Sequence, residues 1–345
     1  MDESTLKFCD GVRHLYIPEL NKISSCIGSG LRQWLAVSDS YLPGNSSGDG
    51  YFEIILYDIR EVLSVFARDI DRLSCAAIET VTNISPAIRN KKFVAWNLVN
   101  YYYSAFYSAH SLLKILGFGL VQIDDRIIRH LRARCLAEGA GEPKITSGIY
   151  CIEFDFSCST VKFYKVRRYN DSHKGLWQRF FDFLNVLIGV SVVSGSYDAN
   201  CIRIRNPGEP YPMSLYSKLP ATDADAIVSK IDSLKQILNR NGDNNWLSFI
   251  RNSINYSHSF GVWYPYKSYS VDYDHLLSMS DLWKKDLLSY DFDTSSEKEL
   301  GIFVKSCQLI NALNFDVLMD LCARHPENKS FLKNGTMSYI KHFCT

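Results

Sequence analysis

Charge of one sign is what this chain has least of: 38 Lys and Arg against 37 Asp and Glu leave a formal net charge of +1. The molecule as a whole does not attract a polyanion, so any contact with nucleic acid has to come from a local basic patch. Long apolar runs are also missing: no stretch of 18 residues is free of charged and polar residues, and the opening Met1 to Lys7 lacks a basic then apolar leader. Neither a membrane span nor a secretory signal is expected, and the expected location is the cytoplasm. The ten cysteines stand singly, with no C-x-x-C pair and no histidine at ligand spacing from a cysteine pair. That pattern argues against a zinc site or a disulfide framework; reduced core thiols, no metal and no cofactor are expected.

What is present describes a folded chain. Hydrophobic residues at 46% and charged residues at 22% exclude long disorder as the main feature, and 345 residues suggest more than one structural unit. Aromatics are clustered at Tyr101 to Tyr107 and at Trp263 to Tyr269. Such clusters serve as core, interface or base-stacking surface, and composition does not choose among them.

Periodicity orders the chain. Residues 1–50 form an N-terminal segment closed by the Gly-, Ser- and Asn-rich stretch Leu42 to Gly50, which reads as a loop. From Tyr51 to Leu73 apolar residues at Ile54, Ile59, Val62, Phe66 and Ile70 predict one long amphipathic helix. A second, more apolar helix runs from Val94 to Leu116 and ends at Gly117. Ile149 to Ser157 and Val161 to Val166 alternate as half-buried strands do; Trp177 to Val193 reads as a helix and Cys201 to Arg205 as a further strand. Helical spacing returns at Asp223 to Leu238, again from Trp246, and over Leu276 to Leu288 and Glu297 to Leu321.

The run Arg251-Asn-Ser-Ile-Asn-Tyr-Ser-His258 carries the candidate chemistry. On the helix expected from Trp246 to about Gly261, a seven-residue step returns to within about 20° of its starting direction, so Arg251 and His258 share a face with Asn255 between them. Arginine and histidine suit RNA cleavage because RNA brings its own nucleophile, the 2′-hydroxyl. The protein then supplies proton transfer from an imidazole and charge neutralisation from a guanidinium fork. Spacing alone is weak: among 18 Arg and 8 His, chance yields roughly one such pair. A second pair, Arg168 to His173, falls on turn-like Asn-Asp-Ser chemistry and is discounted.

Several residues together resemble the HEPN superfamily of helical ribonucleases. Its signature is Arg, a polar residue, then four to six residues to His, here Arg251, Asn252 and His258. The Tyr- and Ser-rich run Asn100 to Gly117 resembles that family's early core helix. The resemblance implies a mainly α fold: a HEPN-like helical bundle at 51–118 and 221–325, a small inserted α/β region at 119–220 that departs from the family pattern, and a C-terminal tail at 326–345. It implies a metal-independent endoribonuclease of toxin or phage-defence type acting by 2′-hydroxyl attack, with Arg251, His258 and Asn252 catalytic, a homodimer, and an antitoxin or regulatory protein as a possible partner besides RNA.

Beside these, Asn255 and Tyr256 on the same segment, and Arg126, Arg129 and Arg132 in a basic stretch, are candidates for substrate binding, although such a stretch also reads as a solvated helix face. Lys162, Lys165, Arg167, Arg168, Arg203 and Arg205, interleaved with aromatics, extend that expectation into the insert. Packing is the first reading of Tyr101, Tyr102, Tyr103 and Tyr107, because four aromatics within seven residues occupy several helix faces. The rival functional reading is a HEPN-like module that binds nucleotide, RNA or protein in a defence complex without catalysis.

Overall fold

The computed structural model describes residues 3–26, 28–47, 50–89, 94–139, 141, 143–167, 171–188, 221–257, 259–263 and 272–343. Within them the chain runs α1 (Glu3–Val12), α2 (Leu31–Leu35), β1 (Tyr41–Ser47), β2 (Tyr51–Leu56), α3 (Ile59–Thr82), α4 (Ile84–Arg89), α5 (Val94–Ile115), β3 (Phe118–Ile123) and α6 (Asp125–Ala137). There follow β4 (Gly148–Asp155), β5 (Thr160–Lys165), α7 (Ser172–Leu187), α8 (Ala221–Leu238), α9 (Trp246–Asn255), α10 (Tyr273–Met279), α11 (Glu299–Ala323), α12 (Phe331–Asn334) and α13 (Thr336–Phe343). The molecule is mainly α with one small sheet.

The helical centre is α5, which packs against α3 on one side and α11 on another and also meets α7 and α9. Its apolar residues lie on several faces, as the sequence of a central helix requires: Val99, Tyr101, Leu113 and Ile115, spread around the helix, are all buried. Gly117, at φ +80°, ends the helix in the left-handed region and turns the chain straight into β3. Helix α11 is long and apolar enough by composition to cross a membrane, yet 83% of its most apolar window is buried inside the protein.

Two expectations at the N-terminal side are corrected. Residues 51–56 are a strand, not the first turns of a helix: Phe52, Ile54 and Leu56 are buried in alternation, and α3 begins only where the Asp58 side chain accepts from the Arg60 amide at 2.8 Å. Leu42 to Ser47 is also a strand rather than a loop. Pro43 is tolerated there because β1 is an edge strand, paired on one side only, with its register shifted between Pro43 and Ser46.

The sheet is antiparallel throughout in the order β1-β2-β5-β4-β3, with Phe52 opposite Phe163 and Ile152 opposite Phe163 at its centre. It therefore takes two of its five strands from residues before α3, so it is not confined to 119–220 as expected. The expected strand at Cys201 to Arg205 lies outside the described residues, as do Arg168, Arg203 and Arg205. The segment expected as a tail folds back: the Thr336 amide and hydroxyl both donate to Asp71 Oδ1 at 2.8 Å, which docks α13 on α3.

Candidate functional site

Helix α9 brings Arg251 to the centre of the molecule. Trp246, Leu247, Ile250 and Ile254 form its buried face, and Arg251 lies at the edge of that stripe with only 6% of its surface exposed. The guanidinium carbon sits 5.0 Å from the ring centre of Tyr102 and 5.9 Å from that of Tyr103, both on α5. A cation stacked so closely on aromatic faces gains roughly 1–2 kcal/mol once desolvated. That offsets only part of the cost of burying the charge. Among the described residues no carboxylate pairs with Arg251, and its buried Nε has no hydrogen-bond partner.

Two of the groups around it come from α7, which begins at Ser172, five residues before the helix expected from Trp177, and so takes in His173. The Asp171 side chain accepts from the His173 amide at 2.8 Å and starts α7, which places His173 Nδ1 2.7 Å from the Tyr102 hydroxyl. The indole Nε1 of Trp177 donates to the same hydroxyl oxygen at 3.1 Å. An indole N–H can only donate, so the Tyr102 oxygen accepts from Trp177 while the same hydroxyl meets His173 Nδ1. Burial, followed by the charge of Arg251, lowers the His173 pKa and keeps the ring neutral. Burial also pushes the Tyr102 phenol up to about 12, with hydrogen bonds from Ser248, Trp177 and Arg251 opposing the shift.

Of the expected catalytic residues, Arg251 is in this chamber and Asn252 is half-buried beside it on α9. His258 lies outside the described residues. The helical argument that joined the two is corrected: α9 ends at Asn255, with Tyr256 as its cap donating to the Asn252 carbonyl at 2.9 Å, so no single helix carries Arg251 and position 258. Phe260 at φ +70° and Gly261 at φ +63° hold the backbone out of a right-handed helix beyond it.

Asn255 is half-buried, Tyr256 is 74% exposed, and Phe249 on α9 is a surface residue. Arg126, Arg129 and Arg132 are exposed on α6, opposite its buried Ile127, Ile128 and Leu131. Arg126 alone among them reaches the rim of a cavity.

Sequence reasoning missed His173. Its turn-like neighbours Asn170-Asp171-Ser172 were taken as a loop signal, although Asp followed by a helix-forming run is equally a helix-start signal. The tyrosines packed as expected: Tyr101 and Tyr102 are fully buried. Eight described cysteines are free of disulfides. Burial pushes the thiols of Cys9, Cys26, Cys135, Cys307 and Cys322 upward, which makes them poor nucleophiles near neutral pH. Among the described residues no three His, Cys, Asp or Glu side chains converge as metal ligands.

Compared with protein-family models, curated proteins and solved structures, the chain matches none.

Proposed function

We propose that the protein is a metal-independent endoribonuclease of the HEPN-like kind, a toxin or phage-defence effector that binds RNA phosphate at Arg251. The observation that carries this reading is a buried guanidinium with no carboxylate partner and an unsatisfied Nε. A buried cation left without a counter-charge is costly, and a phosphodiester supplies both the charge and the acceptor atoms that are missing.

In the proposed reaction the 2′-oxygen attacks the adjacent phosphorus, its proton passes to His258, and the P–O5′ bond breaks as the 5′-oxygen takes up a proton from solvent, to which His258 later returns its own. The products are a 2′,3′-cyclic phosphate and a 5′-hydroxyl, with no oxidant or water consumed. Arg251 holds the non-bridging oxygens, where negative charge grows, and Asn252 orients the phosphate or the ribose. Tyr102, fixed by Trp177 and His173, sets the height and plane of the guanidinium. Tyr256 offers an exposed ring for base stacking. A homodimer that brings two such sets to one groove, and an antitoxin or regulatory protein that restrains them, belong to the same reading.

The test is incubation of the purified protein with total tRNA and a single-stranded RNA in EDTA, comparing wild type with Arg251→Ala and His258→Ala. Cyclic-phosphate ends from wild type alone are the expected result; equal cleavage by all three proteins removes this site from the chemistry.

One observation favours a second reading, a binding module without catalysis: at 6% exposure, Arg251 is sealed under Tyr102 and Tyr103. That reading predicts binding of nucleotide, RNA or a partner protein that survives Arg251→Ala, with no cleaved ends.

A further inference from the structure

A cavity of about 650 Å³ lies between α2, α3, α5, β3 and α6, within the size range of sites for small organic ligands. Its wall is built from two helices. Helix α3 contributes Arg68 and Arg72, one turn apart; α5 contributes Phe106, Tyr107, His110 and Lys114 along one stripe. Arg126 closes the rim from α6.

The charges in the cavity do not cancel. Asp69 is taken by Lys114 at 2.8 Å and by the Leu31 amide at 3.3 Å, and Asp124 by Arg32 at 2.7 Å. Arg72 reaches Asp69 only at 3.7 Å. Among the described residues, Arg68 and Arg126 make no ion pair. Three guanidinium groups therefore face one space with little counter-charge, in a molecule whose net charge is only +1. Cations bunched this way in a concave wall raise the local concentration of an anion.

The opposite end of the cavity has a different chemistry. Phe106 and Tyr107 lie two turns from Lys114 along α5, about 12 Å by helical rise. Between them His110 has no hydrogen-bond partner among the described residues and rests edge-on against Phe106 at 4.8 Å. Burial, then the neighbouring charge of Lys114, lowers its pKa to about 3, so it faces the cavity as a neutral ring able to donate or accept.

We infer that this cavity binds an organic phosphate, with the phosphate among Arg68, Arg72 and Arg126, a polar group of the ligand on His110, and the ligand's ring against Phe106 and Tyr107. The site is separate from the Arg251 chamber and stands whether or not that chamber cleaves RNA. Phe106 also packs against His173, with ring centres 4.4 Å apart, so the cavity and the Arg251 cluster share one aromatic side chain.

The test is calorimetric titration of the full chain with ADP, glucose 6-phosphate and pyrophosphate, on wild type, Arg126→Ala and Arg68→Ala. Arg126 is exposed, so its removal does not endanger folding. One of the two organic phosphates is expected to bind at least tenfold more tightly than pyrophosphate, and each variant to weaken that binding tenfold or more. Tighter binding of ADP assigns a planar ring to the ligand, and tighter binding of glucose 6-phosphate a sugar. Absence of binding by both organic phosphates, equal affinity for pyrophosphate, or unchanged affinity in both variants overturns the assignment.

Discussion

Helix α5 carries polar groups on two sides, and the two are handled in opposite ways. Toward α11, Ser108 donates to Asn311 Oδ1 at 2.8 Å, and Asn311 Nδ2 donates to Ser104 at 2.9 Å and to Gln308 Oε1 at 3.2 Å. Gln308 in turn donates to the Met279 and Ser280 carbonyls. This seam spends most of its hydrogen-bonding capacity on neighbouring helices, with Asn314 Oδ1 left over. Toward α9 and α7, Tyr102, His173 and Arg251 form a shorter network that ends in an unspent charge. Arg13 sharpens the contrast: its Nε sits 2.9 Å and 3.0 Å from the two carboxylate oxygens of Asp320, which is buried. One buried polar region explains itself by packing; the other asks for a ligand.

The comparison breaks or holds on measurements of decreasing size. Arg251→Ala is expected to lower RNA cleavage by about 100-fold or more, the scale of losing one preorganised charge at a transition state, read from cyclic-phosphate ends in a timed digest. Arg13→Met strands the buried Asp320 and is expected to cost about 3 kcal/mol in urea unfolding. Asn311→Ala, which strips partners from Ser104, Ser108 and Gln308, is expected to cost about 2 kcal/mol. By the same assay Arg251→Met should change stability by less than about 1 kcal/mol, because it removes an uncompensated charge along with its stacking contact. A loss as large as that of Asn311→Ala would make Arg251 a structural residue and end the contrast.

Two smaller effects concern pH. Asp182, buried on α7, has a pKa raised to about 7 by burial, against the opposing charge of Arg179. Its folded value lies above the unfolded value of about 3.9, so its contribution to stability is full below that value and is lost as pH rises to about 7. Asp182→Asn is expected to raise Tm by a few degrees at pH 8 and to leave it unchanged at pH 3.5. His173 and His110 act in the other direction. Their folded values are depressed, so their contribution is present above the unfolded value of about 6.5 and lost as pH falls below it. His173→Gln, which keeps a hydrogen-bond partner for Tyr102, should flatten the acid side of a Tm-against-pH curve between about pH 6.5 and 4. An unchanged curve would place His173 outside the Tyr102 network.

Much of the helical layout was legible in order. The 94–116 periodicity and the terminal glycine located α5 to within a residue or two, and the alternation at 149–157 and 161–166 located β4 and β5. At 42–47 turn-forming residues sit in an edge strand, which composition reads as a loop; the error at 51–56 has another cause. A short strand with apolar residues at 52, 54 and 56 followed by a helix with apolar residues at 59, 62 and 63 can be threaded by one helical period, and only the Asp58 cap marks the change. The site divides in the same way. Arg251 stands out in the sequence as the head of the Arg251-to-His258 motif, whereas His173, the end of the second Arg/His pair, is discounted for its turn-like neighbours.

The sequence by itself determined a folded, mainly α chain, the central helix α5, the strand pair β4 and β5, and the arginine that deserves testing, because each of these is written in local periodicity or in residue type. Only the tertiary structure decided that strands from 41–56 complete the sheet, that α9 stops at Asn255, and that His173, Tyr102 and Arg251 meet across three helices. The β2–β5 pairing and the Tyr102, His173 and Arg251 cluster join residues more than seventy positions apart, and no local spacing encodes which distant faces will be buried together.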